Sequence, residues 1–206
     1  MLMLVTRSHP ELRSIVSAAV DGGVNVVQVR GDVDVDVDAI CAIVGDRVRV
    51  VVNTAPPGPS PRSRGEGAAS AADEGRHPAI IAPHAALRLP GLHLPETAPF
   101  ANASFVGRSV HSVDAAIRAE QEGCDYVVAG SIFPTTSHPN GPVAGLALIE
   151  DIAKAVNIPV LAIGGINATN ARSCIDAGAS GVAVISTIMD ADDPKQAAQE
   201  LWRAIA

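Results

Sequence analysis

IPVLAIGGINATNARSCIDAGASGVAVIST, residues 158–187, decides the fold. IPVLAIG (158–164) is continuously apolar and closes on glycine, a pattern suited to a strand covered on both faces. Residues 168–177 switch to a helical period, and Gly178 stands where a left-handed helix end wants glycine. A second apolar run, 180–186, follows at once. Strand, helix, strand with so short a spacing predicts a parallel pair joined by a crossover helix.

The same unit repeats in both directions. Val- or Ile-rich runs occur at 2–6, 24–30, 47–53, 90–94, 104–109 and 125–130, ahead of the two at 158–164 and 180–186. Helical periodicity occupies 10–21, 34–45, 112–122, 146–155, 168–177 and 193–205. Ser8 opens an S-H-P-E capping box, its hydroxyl expected to accept from the Glu11 amide. Gly22-Gly23 and Gly123 also follow helical runs, and Asp192-Asp193-Pro194 supplies an acid and a proline to the start of the last helix. Eight strands leave roughly 26 residues per unit, close to one βα repeat of a (β/α)8 TIM barrel. An open doubly wound sheet generally carries a Gly-rich turn after its first strand, and here that turn is TRSHP (6–10). The chain reads as an α/β protein, a single (β/α)8 barrel domain over residues 1–206. A Pro/Ser/Gly-rich insertion at 54–77 interrupts it, reading as a surface insertion or as a lid whose Arg62 and Arg64 face an anion.

Composition narrows the function. The chain has 206 residues, 48% of them hydrophobic but only 2% aromatic, with a mean hydropathy of +0.26. Fifteen basic residues stand against twenty-two acidic ones, a net charge of −7, which lacks the footprint of a nucleic-acid binder. No apolar run reaches the length of a membrane span, and the N-terminus has no signal-peptide pattern, so a cytoplasmic location is expected. Cys41, Cys124 and Cys174 are scattered, in no disulfide or zinc spacing. Lys154 and Lys195 are the only lysines, so an anion must be gripped by a few side chains or by backbone amides.

A barrel's chemistry lies at the C-terminal ends of its strands. Those ends carry Thr6-Arg7, Gln28-Val29-Arg30, Asn53, His93-Leu94-Pro95, Ser109-Val110-His111-Ser112, Gly130-Ser131, Gly164-Gly165 and Ile185-Ser186. Two adjacent strands end in IGGI (163–166) and GVAVISTI (181–188), each leading into a helix. Amides at such helix starts bind phosphate without lysine, which makes Gly164, Gly165, Ile185 and Ser186 the phosphate-binding candidates.

VVQVR (26–30), VGRSVHS (106–112), GCDYVVAGSIFPTTSHP (123–139), IPVLAIGGINATN (158–170) and AGASGVAVISTI (177–188) resemble the thiamine-phosphate synthase and thiazole tautomerase superfamily. The resemblance is dense over 106–188 and weaker before it. It implies a barrel acting on a small phosphorylated thiazole, with no nucleic acid and no membrane as partner, and with a homodimer as the assembly such barrels commonly form.

Departures from the synthase pattern point to the tautomerase branch. Asp32 stands where the resemblance implies a lysine, Thr54 and Ala98 where it implies magnesium carboxylates, and His138 where it implies a second lysine. Holding Mg²⁺ and a diphosphate without those charges is physically unfavourable. The expected function is therefore a metal-independent isomerase, a thiazole tautomerase acting on a carboxylated thiazole phosphate in thiamine biosynthesis. In that reading His111 is the catalytic acid/base, and Arg30 and Asn53 hold the substrate. Gln28, Ser109, Thr135 and Ser137 complete the substrate-binding candidates, with His138 as a partial substitute for the lost lysine. No metal ligand set and no cofactor are expected, Mg²⁺ entering only if the chain is a thiamine-phosphate synthase. That transferase, and a non-catalytic binder of a thiamine-pathway phosphate with a regulatory role, are the alternatives.

Overall fold

The computed structural model describes residues 1–30, 35–53, 90–135 and 141–206. Eight short parallel strands form a closed barrel: β1 (Leu2–Val5), β2 (Val26–Arg30), β3 (Arg49–Asn53), β4 (Gly91–Leu94), β5 (Val106–Val110), β6 (Tyr126–Ala129), β7 (Val160–Ile163) and β8 (Gly181–Val184). β1 pairs with β8, Leu4 opposite Val184, and closes the ring. The (β/α)8 expectation holds, and all eight runs read from the sequence are strands. The helices among the described residues are α1 (Leu12–Asp21), α2 (Val37–Val44), α3 (Val113–Gln121), α4 (Leu146–Ala155), α5 (Ala171–Asp176), α6 (Ser186–Met189) and α7 (Pro194–Ile205). The insertion expected at 54–77 lies outside the described residues. No described helix is long and apolar enough to cross a membrane.

Continuous apolar runs work here because alternate side chains serve two cores. Leu2, Leu4, Val27, Val29, Val127 and Val182 face the helices, and Met3, Val5, Val26, Val51, Tyr126, Val128, Leu161 and Ala183 fill the barrel interior. With so few aromatic residues, one ring dominates that interior. Tyr126 is fully buried and stacks on Phe105 with centroids 5.0 Å apart. Register puts His93, Gly107 and Tyr126 on one row of three neighbouring strands. The Tyr126 ring crosses over Gly107, where a Cβ would lie only 2.0 Å from the ring Cζ. Gly107 is a space requirement of that ring.

Local signals were met unevenly. Gly23, Gly123 and Gly178 follow helices with φ of +112°, +93° and +101°. Asp193 caps α7 by accepting from the Gln196 amide at 2.9 Å, with Pro194 in the first turn. Ser8 does not cap α1: the Glu11 amide donates to His9 Nδ1 at 3.1 Å, an imidazole nitrogen taking the place read for the hydroxyl. The sequence also missed α6, because 180–186 reads as uninterrupted strand while the backbone turns helical at Ser186. On the outer ring α7 packs against α1 and β2's approach, its half-exposed Trp202 covering Gly23 at the N-terminal end of the barrel.

Candidate active site

Strand ends at one level create the mouth. Arg30 is opposite Asn53, and Asn53 opposite His93. Above them lies a cavity of about 310 Å³, at the small end of ligand pockets. It is lined by every described site candidate: Gln28, Arg30, Asn53, Ser109, His111, Thr135, Gly164, Gly165, Ile185 and Ser186. Ser137 and His138 lie outside the described residues. His93, named from the sequence among the strand-end residues, is buried and also lines this cavity, as does Glu96.

Two loops form one wall. Gly164 (φ +104°) and Gly165 (φ +64°) turn the chain at the end of β7, and a Cβ on Gly165 would meet the Pro134 carbonyl oxygen at 2.3 Å. Asn170 Nδ2 donates to the Gly165 carbonyl at 3.0 Å, and Thr187 Oγ1 donates to the Ile166 carbonyl, tying the β8 loop to the β7 loop. Sequence reasoning missed Asn170 and Thr187; their signal was a hydrogen-bonding side chain a few residues beyond the ends of β7 and β8. The amides of Gly165, Ser186 and Thr187 donate to no group among the described residues. The helix that follows β8 has only four residues, so these amides act as individual donors with little macrodipole behind them.

The floor is a buried polar chain. His93 Nδ1 lies 3.1 Å from the Tyr126 hydroxyl and His93 Nε2 lies 2.9 Å from Ser109 Oγ. Burial first, then the Arg30 and Arg108 charges, push the His93 imidazole down to about 3, so it is neutral near neutral pH. Burial also pushes the Tyr126 phenol up. At the rim, His111 Nδ1 meets Glu96 Oε2 at 2.5 Å, the imidazole largely exposed.

Arg108 holds the rim from outside the barrel wall. No helix forms between β4 and β5 among the described residues, so the crossover leaves carbonyls in need of donors. The Arg108 guanidinium, almost fully buried, donates through Nη1 to the carbonyls of Pro95, Glu96 and Ala98 at 3.1, 3.0 and 2.7 Å. Its Nη2 lies 2.7 Å from Glu122 Oε2 just beyond α3.

The fold and this mouth define a (β/α)8 barrel with a small-molecule-sized polar site at its C-terminal strand ends. Residues 92–188 match the family described as thiamine monophosphate synthase. Over 101 residues the chain is 45% identical to the thiamine-phosphate synthase of Pyrococcus furiosus, covering 49% of each. Over 103 residues it is 50% identical to that of Roseiflexus sp. strain RS-1, covering 50% of this chain and 44% of the relative. The matches thus span about half the length of these curated relatives. A solved thiamine phosphate pyrophosphorylase from Pyrococcus furiosus superposes with a TM-score of 0.74 at 27% identity, over 99% of this chain and 94% of that one. A 3-hexulose-6-phosphate synthase, at 18% identity and TM-score 0.66, shares the fold. The superfamily resemblance therefore stands, carried by β4 through β8.

The tautomerase branch does not. The metal-independent isomerase expected from the sequence is overturned by relatives that are synthases at 44–50% identity. The inference rested on four departures from the synthase pattern, of which 32, 54 and 138 lie outside the described residues, and on a likeness of Leu94-Pro95 and residues 108–112 to the tautomerase branch. It gave a few positions, two of them outside the matched segment, more weight than the match over residues 92–188. With that reaction gone, His111 has no tautomer to interconvert; what the structure shows is a rim imidazole held by Glu96.

The metal that the synthase pattern implies has few ligands to meet. No group of three His, Cys, Asp or Glu side chains suited to a metal occurs among the described residues. Glu96 is the one carboxylate lining the cavity among them, and it is engaged by His111. At Ala98 the side chain offers no ligand and the carbonyl is taken by Arg108. The described residues do not fit a divalent-metal site.

Proposed function

We propose that this barrel is a transferase of the thiamine-phosphate synthase type. It would join a thiazole phosphate to a pyrimidine that carries a methyl diphosphate. In that reaction the thiazole nitrogen forms a bond to the exocyclic methylene of the pyrimidine. The methylene C–O bond breaks, and diphosphate leaves with its electron pair.

One observation carries the reading: the Gly164-Gly165 turn after β7 and the Ile185–Thr187 turn after β8, whose amides at Gly165, Ser186 and Thr187 donate to no group among the described residues, share one cavity wall inside the segment that matches the synthases. Amides of Gly165, Ser186 and Thr187, with the Ser186 hydroxyl, suit a monophosphate in a lysine-poor chain. Arg30, the one arginine or lysine lining the cavity among the described residues, faces the leaving diphosphate across the mouth. Gln28 and Asn53 orient the rings beneath. The partner class is accordingly a pair of small phosphorylated heterocycles.

Incubation of the chain with both phosphorylated precursors and Mg²⁺, followed by diphosphate release, tests the assignment. Equimolar thiamine phosphate and diphosphate are expected, and absence of both products refutes it. Gly165→Ala pushes a methyl into the Pro134 carbonyl and displaces the amide wall. Losing one charge-assisted hydrogen bond to the phosphate, about 1.5–3 kcal/mol, raises KM for the thiazole phosphate roughly 10- to 100-fold.

A further inference from the structure

We propose that His93 is a positioning residue, locked by Tyr126 as its Nε2–H tautomer, which leaves the Ser109 hydroxyl hydrogen free to donate into the mouth. That free hydrogen suits a lone-pair acceptor on the substrate, a ring nitrogen or an oxygen. The tautomer half of this inference is independent of the reaction; the substrate half rests on the proposed transferase.

The argument follows the hydrogens. Tyr126 lies fully buried in the barrel interior, and its hydroxyl has one partner among the described residues, His93 Nδ1 at 3.1 Å. A buried phenol hydrogen without an acceptor costs about 1–3 kcal/mol, so the hydroxyl donates and Nδ1 accepts. A neutral imidazole carries one proton, which Nδ1's role as acceptor assigns to Nε2. Nε2–H then donates to Ser109 Oγ at 2.9 Å. Ser109 is half-buried and lines the cavity, and no other side-chain partner of its hydroxyl exists among the described residues. Its own hydrogen is left to point at whatever occupies the mouth.

The alternative polarity fails at the other end. Were Ser109 to donate to Nε2, Nδ1–H would donate to the phenol oxygen, and the buried phenol hydrogen would have no acceptor among the described residues. The neighbouring charges reinforce neutrality of the ring: Arg30 and Arg108 both disfavour a second proton on His93. Gly107 completes the device. Only a glycine between His93 and Tyr126 lets the phenol cross to the imidazole, and register places it there.

The test begins with ligand-free protein labelled with ¹⁵N at histidine. The His93 ring, assigned by the signal that disappears in His93→Gln, is expected to show a protonated Nε2 and an unprotonated Nδ1 throughout about pH 5–8. A protonated Nδ1 in the wild-type protein overturns the proposal. Tyr126→Phe keeps the stack on Phe105 and removes the donor; a mixed or reversed tautomer is expected, and an unchanged one overturns the role of Tyr126. With the pyrimidine diphosphate and thiazole phosphate as probes, Ser109→Ala raises KM about threefold to tenfold, the worth of one hydrogen bond. His93→Leu does the same, and His93→Gln, whose amide nitrogen still donates toward Ser109, recovers most of the loss. The Ser109→Ala/His93→Leu double variant loses no more than Ser109→Ala alone, because one residue acts through the other. Additive losses overturn the proposal. If the wild-type chain forms no product, the transferase reading falls and the tautomer measurement alone judges the relay.

Discussion

Replacing Gly107 by alanine tests whether the barrel interior is built around a single ring. The new methyl would stand 2.0, 2.3 and 2.5 Å from Cζ, Cε1 and Cε2 of Tyr126, against an ordinary carbon–carbon contact of about 3.5–4.0 Å. The ring would therefore have to retreat by roughly 1.5 Å. It has little room: Phe105 stacks on it at 5.0 Å, and the His93 ring lies 5.8 Å away on its hydroxyl side. Overpacking of this kind costs about 1–3 kcal/mol. Pulling the hydroxyl off Nδ1 leaves two buried polar atoms unpaired, about 1–3 kcal/mol more. The expected loss is about 2–6 kcal/mol, read in urea unfolding as a lower midpoint with an unchanged slope. In heat it appears as a Tm lower by roughly 5–20 °C for a chain of this size. Tyr126→Leu in the same background removes the collision, so the double variant should be more stable than the two single losses added together, by about 1–3 kcal/mol. A Gly107→Ala change within about 0.5 kcal/mol, or strictly additive losses, would refute the reasoning.

Two further outcomes follow from buried polar side chains. Arg108→Met strips the donor from three carbonyls of the β4–β5 crossover and should cost about 2–5 kcal/mol, with amides at 96–98 losing hydrogen-exchange protection first; Glu122→Gln, at a half-exposed carboxylate, should cost less than about 1 kcal/mol. If both variants matched wild type, the guanidinium would not be holding the loop. His93 gives a pH signature: its folded pKa, about 3, lies below the unfolded value of about 6.5. Between these values the unfolded chain binds the extra proton, so this contribution is whole above pH 6.5 and is lost as pH falls toward 3. The slope approaches about 1.4 kcal/mol per pH unit. Comparison with His93→Gln isolates the term, and parallel pH–stability curves for the two proteins would contradict it.

The strands were legible because burial on both faces demands uninterrupted Val, Ile and Leu, and that pattern survives without knowledge of any partner. Strand-end residues such as Arg30, Asn53 and Ser109 were legible for a related reason: a polar residue that abruptly closes an apolar run sits at the barrel's edge. Contacts that cross strands were not. The row His93, Gly107, Tyr126 depends on register across three strands, and nothing local in GLHL, VGRS or CDYV announces it, except a glycine where a strand interior favours a side chain. The α1 cap was misread for a similar reason, since Ser8 and His9 both offer acceptors and only backbone geometry selects the imidazole. The choice between enzyme branches failed differently: departures at 32, 54, 98 and 138, taken together, outweighed a likeness that is expressed by the whole run from β4 to β8.

The chain's lone indole and lone phenol also divide the molecule between two optical reporters. Trp202 sits over Gly23 at the end of the barrel away from the mouth, half in water, so its fluorescence follows the docking of α7 on α1. Substrates entering at the opposite end leave that signal unchanged. The phenol of Tyr126 is two hydrogen bonds from Ser109 and absorbs where its neighbours do not, so ultraviolet difference spectra report the mouth. One protein, followed at two wavelengths, separates occupancy from unfolding without an added dye.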